Sequence, residues 1–144
     1  MELEWGDGCF VCGKGNLQGL RLEFSFDESS GVLETTWVPP ETYQGYDGVL
    51  HGGILSTLLD EAVGKLTTVV GKPAVTAEMT VRFLKPVPTG SPLTVRGRLT
   101  EENRRVLRGT AEALLADGTL AASASLTLLR PPAKRGSRVA EGRE

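Results

Sequence analysis

Basic charge, histidine, cysteine and long apolar runs are all scarce in this chain, and each scarcity excludes a class of function. Lys and Arg number 16 against 18 Asp and Glu among 144 residues, a formal net charge of −2. That balance leaves no basic footprint for nucleic acid, although one local Arg or Lys cluster is enough for an anionic ligand. No apolar run approaches the roughly 18 residues a membrane helix needs, so no membrane partner is expected. The opening Met-Glu-Leu-Glu-Trp-Gly-Asp lacks the basic and apolar regions of a secretion signal, and the cytoplasm is the expected compartment.

The two cysteines fall in one motif, Cys9-Phe10-Val11-Cys12. A single CxxC supplies half of a zinc site, and the usual second pair is missing. His51 is the only histidine, so a four-ligand site would have to draw on carboxylates or a second subunit. A redox pair of the thioredoxin kind belongs in a βαβ pattern, which is not visible here. The motif is therefore read as a structural turn, and no metal is expected.

What is present is enough for one globular domain. The chain is 40% hydrophobic and 24% charged, and at this length a core forms without disulfide or metal. Residues 20–26 alternate apolar and polar like a half-buried strand. Turn residues follow at 27–31, and 32–38 reads as the hairpin partner, stopped by Pro39-Pro40. An ordered loop with Gly45 and Gly48 leads to a helix over about 52–70, closed by Gly71 and Pro73. Strands are expected at 74–84, 93–99, 106–115 and 120–129. In the first of these, Val75, Ala77, Met79, Val81 and Phe83 share one face, and Thr76, Glu78, Thr80 and Arg82 the other. The domain is expected to span 1–130, with 131–144 a disordered tail that has almost nothing to bury. The order β-β-helix-β-β-β-β makes an α+β protein. An antiparallel sheet of five or six strands wrapped around one long helix is the hotdog fold.

That helix carries the chemistry. Turning 100° per residue, it gathers Leu55, Leu58, Leu59, Ala62, Val63, Leu66, Val69 and Val70 on the half that faces the sheet. The other half holds Gly53, Ser56, Thr57, Asp60, Glu61, Gly64, Thr67 and Thr68, small and hydroxylic residues around an acid. Long charged side chains would mark a solvated face, so this one reads as covered. Gly53 lies in the first turn, where backbone N–H groups have no intrahelical acceptor and the dipole is positive. Such an N–H suits an oxyanion, and Asp60 suits a general base or nucleophile. The two are about 10 Å apart along the axis, yet a reacting carbonyl must lie about 3 Å from both groups. The expectation is that Asp60 of one subunit works with Gly53 of another across a two-fold interface.

Gly48-Val49-Leu50-His51-Gly52-Gly53, followed by Leu58-Leu59-Asp60-Glu61-Ala62, resembles the pattern of hotdog thioesterases of the phenylacetate-pathway (PaaI-like) type. The resemblance continues through residues 76–88 and takes in the leader Cys9-Phe10-Val11-Cys12-Gly13 with Asn16 and residues 19–22. In all it covers residues 9 to 129. It implies an acyl-CoA thioesterase in which Asp60 is the catalytic acid, Gly53 the oxyanion amide and Thr76 the hydroxyl that orients water. Some relatives carry Asn where this chain has Gly45, and Gln44 beside it is the expected substitute. His51, Gly52 and Glu61 are expected near the substrate, and Arg82 and Lys85 near the CoA phosphates, with Arg104 and Arg105 further candidates. Coenzyme A would be part of the substrate, with no separate cofactor, and the assembly a homodimer or homotetramer. The alternatives are a hotdog dehydratase or hydratase, which would pair a His with an acid, and a non-catalytic acyl-CoA-binding module. His51 and Asp60 project to opposite sides of the helix, which disfavours the first within one chain.

Overall fold

The computed structural model describes residues 2–132. Among these residues six strands and one α-helix follow in the order β1 (Ser25–Asp27), β2 (Val32–Trp37), α1 (Gly52–Val69), β3 (Val75–Phe83), β4 (Leu93–Glu102), β5 (Val106–Leu114) and β6 (Leu120–Leu129), with a short 3-10 turn at Glu41–Tyr43 before α1. They form one sheet, β1-β2-β4-β5-β6-β3, with every neighbouring pair antiparallel. The single long helix lies on one face, and the arrangement is the hotdog fold, α+β, with six strands. Of the tail expected at 131–144, all but Pro131 and Pro132 lies outside the described residues.

The helix ends where the sequence places its stop. Gly71 adopts φ +81°, a conformation open to glycine at little cost. Leu55, Leu58, Leu59, Ala62, Val63 and Leu66 are buried. All of these but Leu66 join Leu93, Val95, Leu107 and Leu128 of the sheet in one core cluster. Val69, expected on the buried half, is 42% exposed, although Leu66 and Thr67 in the same last turn are buried. The helix lies unusually close to β4. A Cβ on Gly97 would stand 2.6 Å from the Ala62 carbonyl oxygen, so only glycine lets the two backbones approach this far.

Three strands differ from the sequence expectation, and the simplest case is β4, expected to end at Leu99, which runs on to Glu102 because Glu101 and Glu102 still pair with Arg108 and Leu107 of β5. Residues 20–26 are not one strand; only Ser25–Asp27 pairs with β2. The Leu20 and Leu22 N–H groups donate instead to the Phe10 and Val11 carbonyls at 2.9 and 2.8 Å, and Arg21 between them takes φ +53°. The alternation is genuine, since Leu22 is buried and Arg21 exposed. It reflects a segment laid against the core and tied to the CxxC turn. In β3 the pairing with β6 shifts register between Thr76 and Glu78. This bulge breaks the two-residue alternation, so Thr76 points toward the helix although it is out of step with Met79 and Val81, which pack against the core.

Candidate active site

Asp60 stands on the third turn of α1, half-buried. The Thr76 hydroxyl reaches across from β3 and donates to Asp60 Oδ1 at 2.6 Å. Without the bulge Thr76 would face away from the helix, so this contact depends on it. Among the described residues no hydrogen bond engages the other carboxylate oxygen, which is left for water or substrate.

His51 caps the helix. Its Nδ1 accepts the Gly53 N–H at 2.8 Å, and its own backbone N–H donates to the Tyr43 carbonyl at 2.9 Å. The Gly53 amide, expected as an oxyanion donor, is thus already held by an imidazole nitrogen. His51 also divides two hollows. The larger, of about 570 Å³, is lined by Tyr46, His51, Gly52, Leu55, Phe83 and Lys85 among others. The smaller, of about 380 Å³, is lined by Thr42, Tyr43, Gln44, His51, Gly53 and Ile54. Gln44 Oε1 accepts from the Gly48 N–H at 2.9 Å, which fixes the loop and turns the side-chain amide. A Cβ on Gly45 would come 3.4 Å from the His51 Cα, ordinary contact, so space alone does not demand glycine there.

The structure therefore brings Gly53, Gln44 and His51 together at one end of the helix and Asp60 with Thr76 two turns further on. Asp60 lines neither hollow. His51 bonds Gly53 and Asp60 bonds Thr76, so the His–acid pair of a dehydratase is not formed within the chain. Lys85 lies at the larger hollow. Arg82 lies on the opposite, outer face of the sheet with Arg98, Glu112 and Ser123. Arg104 and Arg105 sit exposed in the β4–β5 turn.

Glu61 goes elsewhere. It is 6% exposed and faces the CxxC loop, with the Cys9 thiol 3.6 and 3.7 Å from its two carboxylate oxygens. Burial pushes its carboxyl above the usual range, against the lowering pull of the Cys12 and Cys9 hydrogen bonds and of Lys65. Burial likewise pushes the Cys12 thiol up to about 12, with Glu61 adding to the rise. Sequence reasoning noted that the CxxC would need carboxylates to complete a site but did not pair it with Glu61. The signals available were the motif itself and an acid at the edge of a helix face otherwise built of small residues.

A hotdog sheet, a single acid held by a hydroxyl on the central helix, and a glycine pair at that helix's N-terminus define a class. The chain belongs to the thioesterase superfamily, which residues 47–122 match. It is similar to the acyl-coenzyme A thioesterase THEM4 of Bos taurus, at 36% identity over 64 residues, covering 44% of this chain and 26% of that protein. Among solved structures it resembles RHA08564, a thioesterase superfamily protein, with a TM-score of 0.80 and 28% identity over 85% of this chain and 60% of that one. It also resembles the PaaI protein from the phenylacetic acid degradation operon of E. coli, with a TM-score of 0.71 over 77% of this chain and 84% of that one. At 23% identity that last likeness concerns the fold alone. The chain spans about a quarter of the length of the bovine protein and 60% of RHA08564.

Proposed function

We propose that this protein hydrolyses an acyl-CoA thioester to the free acid and CoA, with Asp60 as the reacting carboxylate. The observation that carries the reading is the Thr76–Asp60 hydrogen bond at 2.6 Å, in a chain of the thioesterase superfamily. It aims one carboxylate oxygen and leaves the other for chemistry. Water attacks the thioester carbonyl as Asp60 takes its proton. The oxygen that becomes negative is held by the Gly53 N–H, where it replaces His51 Nδ1. The C–S bond then breaks, the proton passes to the CoA sulfur, and acid and thiol leave. If Asp60 attacks directly, a mixed anhydride forms and water resolves it. Either route needs the same carboxylate. The CoA moiety is inferred from the bovine relative, an acyl-coenzyme A thioesterase. Lys85, at the mouth of the larger hollow, is the cation best placed for its phosphates.

The separation of Gly53 and Asp60 supports a site shared between two copies of the chain. β3 ends the sheet, and among the described residues no strand lies beside its outer edge. It is nine residues long, with Val75 46% and Phe83 56% exposed. A long, partly apolar edge of that kind invites pairing. Two copies joined β3 to β3 about a two-fold axis would extend the sheet and bring Asp60, tied to β3 through Thr76, toward the partner's helix N-terminus. A homodimer, or a homotetramer built from it, is the assembly proposed.

The test is a panel of short, medium, long and aryl acyl-CoAs, with free thiol release and binding measured in parallel. Turnover of at least one class is expected. Tight binding with no thiol release from any of them would replace this reading with that of a binding module.

A further inference from the structure

The turn Cys9-Phe10-Val11-Cys12-Gly13 is more tightly built than a connection requires. The Gly13 N–H donates to the Cys9 carbonyl at 2.8 Å, closing the turn, and the Val11 N–H donates to Cys9 Sγ at 3.4 Å. A Cβ on Gly13 would land on the Asp7 carbonyl oxygen and the Cys9 amide nitrogen, so the turn takes glycine alone. The loop sets both sulfurs against the middle of α1, where Glu61 is the buried residue they meet. Cys9 Sγ, Cys12 Sγ and a Glu61 carboxylate oxygen all lie within 4.8 Å of one another.

We infer that Cys9, Cys12 and Glu61 form a three-ligand site for a thiolate-binding divalent cation, zinc(II) in the first place, which clips the N-terminal segment to the central helix. Geometry is the first argument. With zinc–sulfur bonds of about 2.3 Å and zinc–oxygen bonds of about 2.1 Å, a tetrahedron has S···O edges of about 3.6 Å and S···S edges of about 3.8 Å. The Cys9–Glu61 contacts of 3.6 and 3.7 Å already have that length. The second argument is what surrounds the sulfurs. The Trp5 indole N–H, which can only donate, points at Cys12 Sγ at 3.0 Å, and the Val11 amide points at Cys9 Sγ. Each sulfur therefore accepts from an N–H, the outer support that thiolate ligands receive in metal sites.

Charge completes the case. Metal ligation takes two thiolates and a carboxylate here, three negative charges gathered at one point. A divalent ion would displace the ligands' protons. Two thiolates and a carboxylate are then balanced by the metal together with Lys65, one turn along α1 from Glu61. Thiolate sulfur favours zinc over the hard cations that prefer oxygen. The fourth position falls to water, since Cys9 is only half-buried. Such a clip ties segments 52 residues apart in sequence and fixes the helix at the residue next to Asp60.

The full chain, purified without chelator, is expected to hold about one zinc per chain by elemental mass spectrometry, and chelation is expected to lower its Tm. After the metal is stripped, titration with cobalt(II) should give an intense thiolate-to-cobalt charge-transfer band. Cys12→Ala should lose both zinc and band, and Glu61→Gln should keep the band with its ligand-field absorption altered. The inference is overturned if wild-type protein, soluble and folded by circular dichroism, gives no charge-transfer band. It is equally overturned if the zinc content of Cys12→Ala equals that of wild type, or if the resting chain is two hydrogens lighter because Cys9 and Cys12 form a disulfide. The wild-type spectrum needs no variant to fold, and none of these readouts depends on the hydrolytic reading.

Discussion

The Thr76 hydroxyl donates to one oxygen of Asp60, and that fixes how the carboxylate is presented to a substrate. Thr76→Val keeps the shape and removes the donor. A hydrogen bond to a charged group contributes about 1.5–3 kcal/mol, so thiol release should fall by about ten- to a hundredfold. Thr76 is exposed, and Tm should barely move; unchanged kinetics would remove it as a positioning residue. His51 makes a different prediction. As the helix cap it stabilises the fold, and His51→Ala should cost about 1 kcal/mol in urea denaturation while reducing turnover far less than loss of Asp60. If turnover instead falls by about a hundredfold or more, His51 takes part in proton transfer. The spacing of Gly53 and Asp60 made both legible in the sequence, because a helix converts spacing into direction. Glu61 was not legible in the same way: the CxxC stands out as a motif, but it lies 52 residues away on a segment with no regular period, and nothing local says which acid it meets.

At the scale of elements, the approach of α1 to β4 rests on a missing side chain. A Cβ at Gly97 would meet both the carbonyl carbon and the oxygen of Ala62, at 2.8 and 2.6 Å, and backbone cannot step aside as a flexible side chain can. Gly97→Ala should therefore destabilise by about 1–3 kcal/mol, read as a lower denaturation midpoint. An unchanged midpoint would mean that the helix and sheet are free to separate. The helix limits, the β2 stop at Pro39 and the four later strands, apart from the extension of β4 from Leu99 to Glu102, followed directly from periodicity and from Gly and Pro placement. The bulge in β3 did not. Thr76-Ala77-Glu78 contains no glycine or proline to mark it, and it is set by the pairing with β6. The expected strand at 20–26 failed for a related reason, since alternation reports which side chains are buried and is silent on where the backbone hydrogen bonds go.

For the whole molecule, the exposed edge of β3 and the distance between Gly53 and Asp60 lead to the same assembly. Light scattering should give twice the 15.4 kDa chain mass or a higher even multiple, and a stable monomer with full turnover would end the shared-site argument. The central claim remains the chemistry of one carboxylate, and it is tested by comparing thiol release from the preferred acyl-CoA by wild type and Asp60→Asn, with binding of that acyl-CoA measured on the same samples. A loss of about a hundred- to ten-thousandfold in turnover, with binding and oligomeric mass retained, is the predicted result. Undiminished turnover by a folded Asp60→Asn protein would contradict it.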